Sequence, residues 1–205
     1  HRGSDRRQAL SAGFAGALPL MLRRWLAMLA LMVAGSALAD QSVRICHAYG
    51  CLAEAEVVFS ERNLREIDQI LSVAVDAENE RKILGTAIGR MYAIGGEQSD
   101  IHNDKGGNYA DANIPGRMDC IDHSTTTTRL LKLLEARGNL RWHRVLNSDV
   151  RYFAFVFPAH YSAVIEEKTD GEAARFVVDS WFVDNGQPAV ILPLDEWKKG
   201  AGPDV

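Results

Sequence analysis

Apolar and polar positions follow two rhythms along this chain, helical in the first half of residues 40–205 and strand-like in the second. Leu64, Ile67 and Leu71 recur at helical spacing with charges between them, and Ser60 stands where an N-cap belongs. A second helix is predicted from about Ala77 to Ile94, its apolar face made by Leu84, Ala87, Ile88 and Met91, with Gly95-Gly96 as its stop. A third runs from about Cys120 to Arg137, with Leu130, Leu131, Leu133 and Leu134 in its second half and Gly138 at its end. Its first half holds the run Ser124 to Thr128, and β-branched threonines lower helix propensity. The reading is a buried helical segment in which small side chains permit close approach.

After Gly138, aromatic and β-branched residues concentrate in Leu140–Val145, Tyr152–Phe157, His160–Glu166 and Phe176–Val183, which predicts four strands. Gly171 falls in the turn between the last two. Asp184-Asn185-Gly186 predicts a hairpin turn into a further strand at Ala189–Leu192. Helices followed by a mostly antiparallel sheet define an α+β domain. The polar stretch from Gly95 to Asp119 is about 25 residues long and has no periodicity. Loops of that length in compact domains are functional or disordered, and this one leads straight to Cys120.

Residues 1–39 stand outside this pattern. From Met21, a basic pair (Arg23, Arg24) precedes an apolar stretch over Leu26 to Val33, and Ala37-Leu38-Ala39 has the A-x-A form of a cleavage site. That is the layout of a secretory signal peptide, and the apolar stretch falls well short of the roughly 20 residues of a membrane span. The expectation is a bacterial-type export signal cleaved after Ala39, leaving a single domain, residues 40–205, in the periplasm or outside the cell. Residues 1–20 are rich in Gly, Ala and Arg without a clear pattern.

Charge sharpens the expected partners. Five of the 23 basic and one of the 27 acidic residues precede Asp40, so residues 40–205 carry 18 against 26, a net charge of −8. An acidic domain without a basic stripe argues against nucleic acid and against anionic membrane surfaces, since Lys and Arg supply most of the affinity for phosphate. Export also changes how the cysteines read, because an oxidising compartment favours disulfides. Cys46 and Cys51, in C-H-A-Y-G-C, are the natural pair, which leaves Cys120 as the single thiol. Metal readings are weaker. Cys46, His47, Cys51, Cys120 and His123 offer zinc-type ligands without paired C-x-x-C knuckles. Asp100, Asn103, Asp104 and Asp111 offer oxygen ligands for calcium without EF-hand spacing.

Cys120 begins a predicted helix, where free backbone N–H groups and the positive end of the helix dipole stabilise a thiolate and lower its pKa. A nucleophilic thiol needs a base, and His160 opens a strand in P-A-H-Y-S-A-V-I. Asp179 interrupts the apolar strand F-V-V-D-S-W-F one hairpin later. A carboxylate there is costly unless paired, and its place suits a group that fixes the imidazole. His123, three residues after Cys120, is an alternative base. Asp184 is better explained as a turn former. For a developing oxyanion, the Cys120 N–H with an amide from Gln98, Asn103 or Asn108 is the candidate arrangement.

The order of Cys at a helix start, His on a strand and Asp on the next resembles the papain-like fold in its transglutaminase-like form, and within it the bacterial transglutaminase-like cysteine proteinases. Asp119-Cys120-Ile121-Asp122 matches the D-C-x-D nucleophile motif, and His160-Tyr161-Ser162-Ala163-Val164 is similar to the histidine motif H-A-V with inserted residues. Asp179 follows Val177-Val178 as that family's aspartate follows apolar residues. The likeness spans residues 116–183. His123 replaces the usual aromatic, and neither the loop before Cys120 nor the final P-L-D-E-W-K-K-G segment has a counterpart. The resemblance implies Cys120 as nucleophile, His160 as base and Asp179 as orienting group, acting on amide bonds of protein or peptide substrates. No cofactor is required by it, although some members bind calcium. Whether water or an amine accepts the acyl group stays open. The alternative function is a non-catalytic binding or envelope-assembly module that retains the fold.

Overall fold

The computed structural model describes residues 39–107, 109–152 and 159–204. The chain divides into two compact units, His1–Ala39 and Asp40–Val205. The signal-peptide reading falls on the first unit, which, apart from Ala39, lies outside the described residues. Among those described, no helix is long and apolar enough to cross a membrane.

The second unit is α+β, with four helices and antiparallel sheets among the described residues. It opens with a hairpin that the apolar pattern does not announce: β1 (Gln41–His47) pairs antiparallel with β2 (Ala53–Phe59). Its inner side is buried through Ile45, Val57 and Phe59, and on the other face Cys46 is covered, with its sulfur beside Glu54 and Arg129. Two helices follow, α1 (Glu61–Ser72) and α2 (Ala77–Gln98). Ser60 caps α1 as expected, accepting from Asn63 N while the Asn63 side chain accepts from Ser60 N.

Helix α2 runs through the expected stop at Gly95-Gly96, ending two residues beyond it at Gln98. The reason is tertiary. A Cβ on Gly95 would lie 2.8 Å from Ile45 Cδ1 and 2.9 Å from Ile101 Cδ1, so this glycine admits neighbours to a continuous helix and does not terminate one. A short 3₁₀ turn (Asp100–Asn103) and a loop then lead to α3 (Cys120–Ala136). In that loop Gly116 has φ +82°, and a Cβ there would collide with the Asp100 carbonyl at 1.8 Å, so the approach to Cys120 requires glycine.

The first half of α3 is buried at Asp122, His123, Ser124, Thr126 and Thr127, as its small residues predict. Its leucines join the main core with α1, α2, β1, β2 and the inner face of the second sheet. In that sheet β5 (Ala159–Glu167) is flanked on one side by β6 (Arg175–Asp179) and then β7 (Val190–Pro193). Its other edge is shared by β3 (His143–Val145) and β4 (Asp149–Tyr152). The predicted strand over Tyr152–Phe157 falls partly on residues outside those described, and its described part ends β4.

Strand β6 stops at Asp179 rather than Val183. Ser180 leaves the ladder because its hydroxyl bonds side chains of the core, and the chain returns only at Val190, opposite Asp179. The expected tight turn at Asp184-Asn185-Gly186 is therefore one part of a longer connection, with Gln187 N on Asp184 O and Gly186 at φ +84°. A final short helix, α4 (Leu194–Lys198), lays Trp197 under the sheet.

Candidate active site

Asp119 is the N-cap of α3, with an extended backbone, and its carboxylate accepts from Asp122 N. Cys120 is thus the first helical residue, half-buried, with its thiol 3.7 Å from the Ala159 carbonyl on β5. The thiol faces a cavity of about 400 Å³ whose lining includes His160 and Asp119, the aromatic residues Tyr49, Tyr109, Trp181 and Phe182, and the segment near Gly202. That volume is within the range of small-ligand sites.

His160 is 6% exposed, and its Nε2 lies 2.7 Å from Asp179 Oδ2. Asp179 is held in turn by Trp197 Nε1, which donates to Oδ2 at 3.0 Å, and by Trp181 N, which donates to Oδ1 at 3.3 Å. The three indole and phenyl rings of Trp181, Phe182 and Trp197 surround the imidazole, with centroids 4.8, 5.5 and 5.7 Å away. With Nε2 committed to Asp179, Nδ1 is the ring nitrogen left for proton transfer. Arg151, opposite His160 on β4, also lines the cavity, and its Nη1 donates to Trp197 O and Ala201 O, both at 2.7 Å. Through these bonds α4 and the chain after it close one side of the site.

The expected lowering of the thiol pKa is not found. Burial pushes the Cys120 thiol up, Asp119 and Asp179 add to the rise by their charge, and the backbone N–H groups of Tyr161 and Cys120 itself only partly oppose it. The N-terminus of α3 is positive only in its bare form. Here two of its N–H groups are already taken by carboxylates in a reciprocal capping box, Asp122 N on Asp119 and Asp119 N on Asp122, which brings negative charge to the helix start.

His123, the alternative base, points into the core. Its Nδ1 lies 2.9 Å from Ser180 Oγ, and its Nε2 lies 3.0 Å from Asp104 Oδ2, off the line of the ring N–H. Ser180 Oγ also meets Thr127 Oγ1 at 2.9 Å and the Tyr92 hydroxyl at 3.2 Å. Asp104 Oδ1 accepts from Met118 N, two residues before Cys120.

The remaining expected residues separate. The Gln98 amide clasps the backbone of Val58, and the Asn103 amide donates to Pro115 O; neither lines the cavity. Asn108 lies outside the described residues. The oxygen ligands considered for calcium are directed to different partners. Asp104 takes Met118 N, while Asp111 takes the Tyr49 hydroxyl and pairs with Arg117. Cys46 and Cys51 form the expected disulfide, which removes both thiolates from the zinc reading. Among the described residues, Cys46, Cys51 and Glu54 form the one close grouping of His, Cys and acidic side chains.

Trp197 and Arg151 carry no sequence signal of a role, since nothing in P-L-D-E-W or in D-V-R-Y points to a site on other strands. Only Trp181 stands close to a residue already singled out. Compared with family models, curated proteins and solved structures, the chain matches none.

Proposed function

We propose that the domain is a thiol-dependent amide hydrolase or acyltransferase of the papain-like, transglutaminase-like kind, acting on protein or peptide substrates outside the cytoplasm. One observation carries the reading: Cys120 and a His160 oriented by Asp179 at 2.7 Å line the same cavity, although they come from a helix and two strands distant in sequence. The free ring nitrogen of His160 takes the thiol proton, and Sγ attacks the amide carbonyl carbon. The imidazolium, held by Asp179, then protonates the departing amine as the C–N bond breaks and a thioester remains. Water accepting the acyl group gives hydrolysis, and an amine gives transfer; in either case His160 removes the acceptor's proton and the thiol is regenerated. The Cys120 N–H, beside the sulfur, is the nearest donor to the developing oxyanion. The Cys46–Cys51 disulfide and the export signal both favour an oxidising compartment.

A second reading, a binding or envelope-assembly module with an inert thiol, draws on the raised pKa of Cys120. The pH dependence of Cys120 alkylation in residues 40–205, beside His160→Ala, separates the two. Fast labelling well below the free-thiol value of about 8.5, lost in the variant, supports catalysis. Slow labelling that ignores the variant supports the inert module.

A further inference from the structure

Four consecutive residues after β1 have left-handed backbones: Ala48 (φ 69°), Tyr49 (64°), Gly50 (62°) and Cys51 (57°). Three of them carry side chains, which L-residues rarely tolerate there. This turn of left-handed helix is closed at its base by the Cys46–Cys51 disulfide. All four of its backbone N–H groups go to one short segment, the approach to and first turn of α3. Ala48 N donates to Arg117 O at 2.9 Å, Tyr49 N to Asp122 Oδ2 at 2.8 Å, Gly50 N to Asp119 Oδ2 at 2.9 Å and Cys51 N to Asp122 Oδ1 at 2.6 Å. Successive N–H groups in such a conformation form a concave donor array suited to an anion, and here the anions are the two carboxylates that bracket Cys120.

Asp122 does more than a capping box asks. A box needs only its bond to Asp119 N, at 3.1 Å. Its carboxylate, fully buried, also takes Tyr49 N and Cys51 N. Tyr49 in turn lines the cavity, and its hydroxyl donates to Asp111 at 2.6 Å. Asp122 thereby joins the start of α3 to one wall of the cavity, beside the Gly50 N–Asp119 and Ala48 N–Arg117 bonds.

We infer that Asp122 is a positioning residue for Cys120, locking the disulfide-closed turn 48–51 onto the start of α3 so that the thiol is held in register with His160. The assignment of His160 as the thiol's partner rests on the function proposed above; the lock itself does not.

The test measures two things in residues 40–205 carrying Asp122→Asn, which keeps the volume but replaces one acceptor oxygen with a donor. The first is amide exchange at Tyr49, Gly50 and Cys51. The second is the pH profile of Cys120 alkylation by iodoacetamide, with and without His160→Ala. Asp122→Asn is expected to speed exchange at those amides by about tenfold or more relative to the α1 amides. It is also expected to shrink the effect of His160→Ala on labelling by about tenfold, as the thiol leaves register. Unchanged protection, or an undiminished His160 effect, overturns the positioning role; a residue that only stabilised the fold would leave the His160 effect intact in the folded fraction. If His160→Ala changes nothing in the parent protein while Asp122→Asn both frees the turn and alters the labelling rate, the catalytic reading falls and the lock stands. Should Asp122→Asn fail to fold, Cys46→Ser with Cys51→Ser opens the same lock from its other end, leaves Cys120 as the only thiol, and is read by the same criteria.

Discussion

Two histidine–carboxylate pairs meet at neighbouring residues where β6 ends: Asp179 holds His160, and Ser180 holds His123, whose other nitrogen faces Asp104. Both rings are nearly buried, at 6% and 3% exposure. They differ in what lies on the far side. His160 shares a cavity of about 400 Å³ with a thiol, whereas the space beside His123 is about 10 Å³, room for one water at most. Proximity in sequence favours His123, only three residues from Cys120. Facing decides instead: Cys120 turns toward β5 and the cavity, while His123 turns into the core against Tyr92, Thr127 and Ser180. Two histidines with acidic partners thus differ in surroundings, one enclosed in the core and one open to a cavity.

The sharpest way to break that contrast is to remove each ring in turn. His160→Ala is expected to lower amide turnover, or Cys120 labelling at neutral pH, by roughly 10²–10⁴-fold with a small change in stability. His123→Ala is expected to do the reverse. It leaves a cavity in the core beside Asp104 Oδ2 and removes one of the three partners of Ser180, and loss of about 2–3 kcal/mol in denaturant unfolding is expected, with labelling per folded molecule nearly retained. Equal effects on labelling would erase the distinction between the pairs.

A smaller change probes only the outer pair. Trp197→Phe removes the indole donor to Asp179 Oδ2 and keeps an aromatic ring. A hydrogen bond to a charged acceptor at this depth predicts about a tenfold fall in turnover with KM nearly unchanged. A pH series sharpens the role of His160. Because burial, Asp119 and Asp179 push the thiol up, the thiolate in His160→Ala appears only as pH rises past the free-thiol range near 8.5. The labelling curve of that variant is expected to lie at higher pH than that of an exposed thiol. A curve at or below the free-thiol range would mean that the helix start alone activates Cys120. The smallest effect belongs to the inner pair: Tyr92→Phe deletes one hydroxyl from the Thr127–Ser180 network and should cost about 1 kcal/mol in unfolding without altering labelling.

A further contrast of the same kind concerns Asp122. Its three backbone donors favour the charged form, but burial and the charge of Asp119 win and raise its carboxyl to about 6. The box that shapes the start of α3 therefore works against the very positive end that the sequence led one to expect.

Periodicity in the sequence determined the α+β class, the caps at Ser60 and Gly138, the buried threonine-rich start of α3 and most of the strands. These depend on contacts local to each element or on one buried face, and such patterns are written in the order of residues. The Cys46–Cys51 pair was legible for the same reason, five residues apart around a turn. Asp179 stood out because a carboxylate within an apolar strand requires a partner, and His160 because it opens the strand before it. The first hairpin escaped notice because its turn is made of Ala48, Tyr49, Gly50 and Cys51 in left-handed conformations, without the dipeptides that signal a hairpin. The passage of α2 through Gly95-Gly96 escaped because the neighbours that fill that glycine surface, Ile45 and Ile101, come from elsewhere in the chain. Which histidine faces the thiol, the grip of Trp197 on Asp179, the left-handed turn on Asp122 and the raised thiol pKa were decided by the tertiary structure alone. Each depends on which groups share a space after folding, and on how much water is left there, quantities that no local pattern of residues encodes.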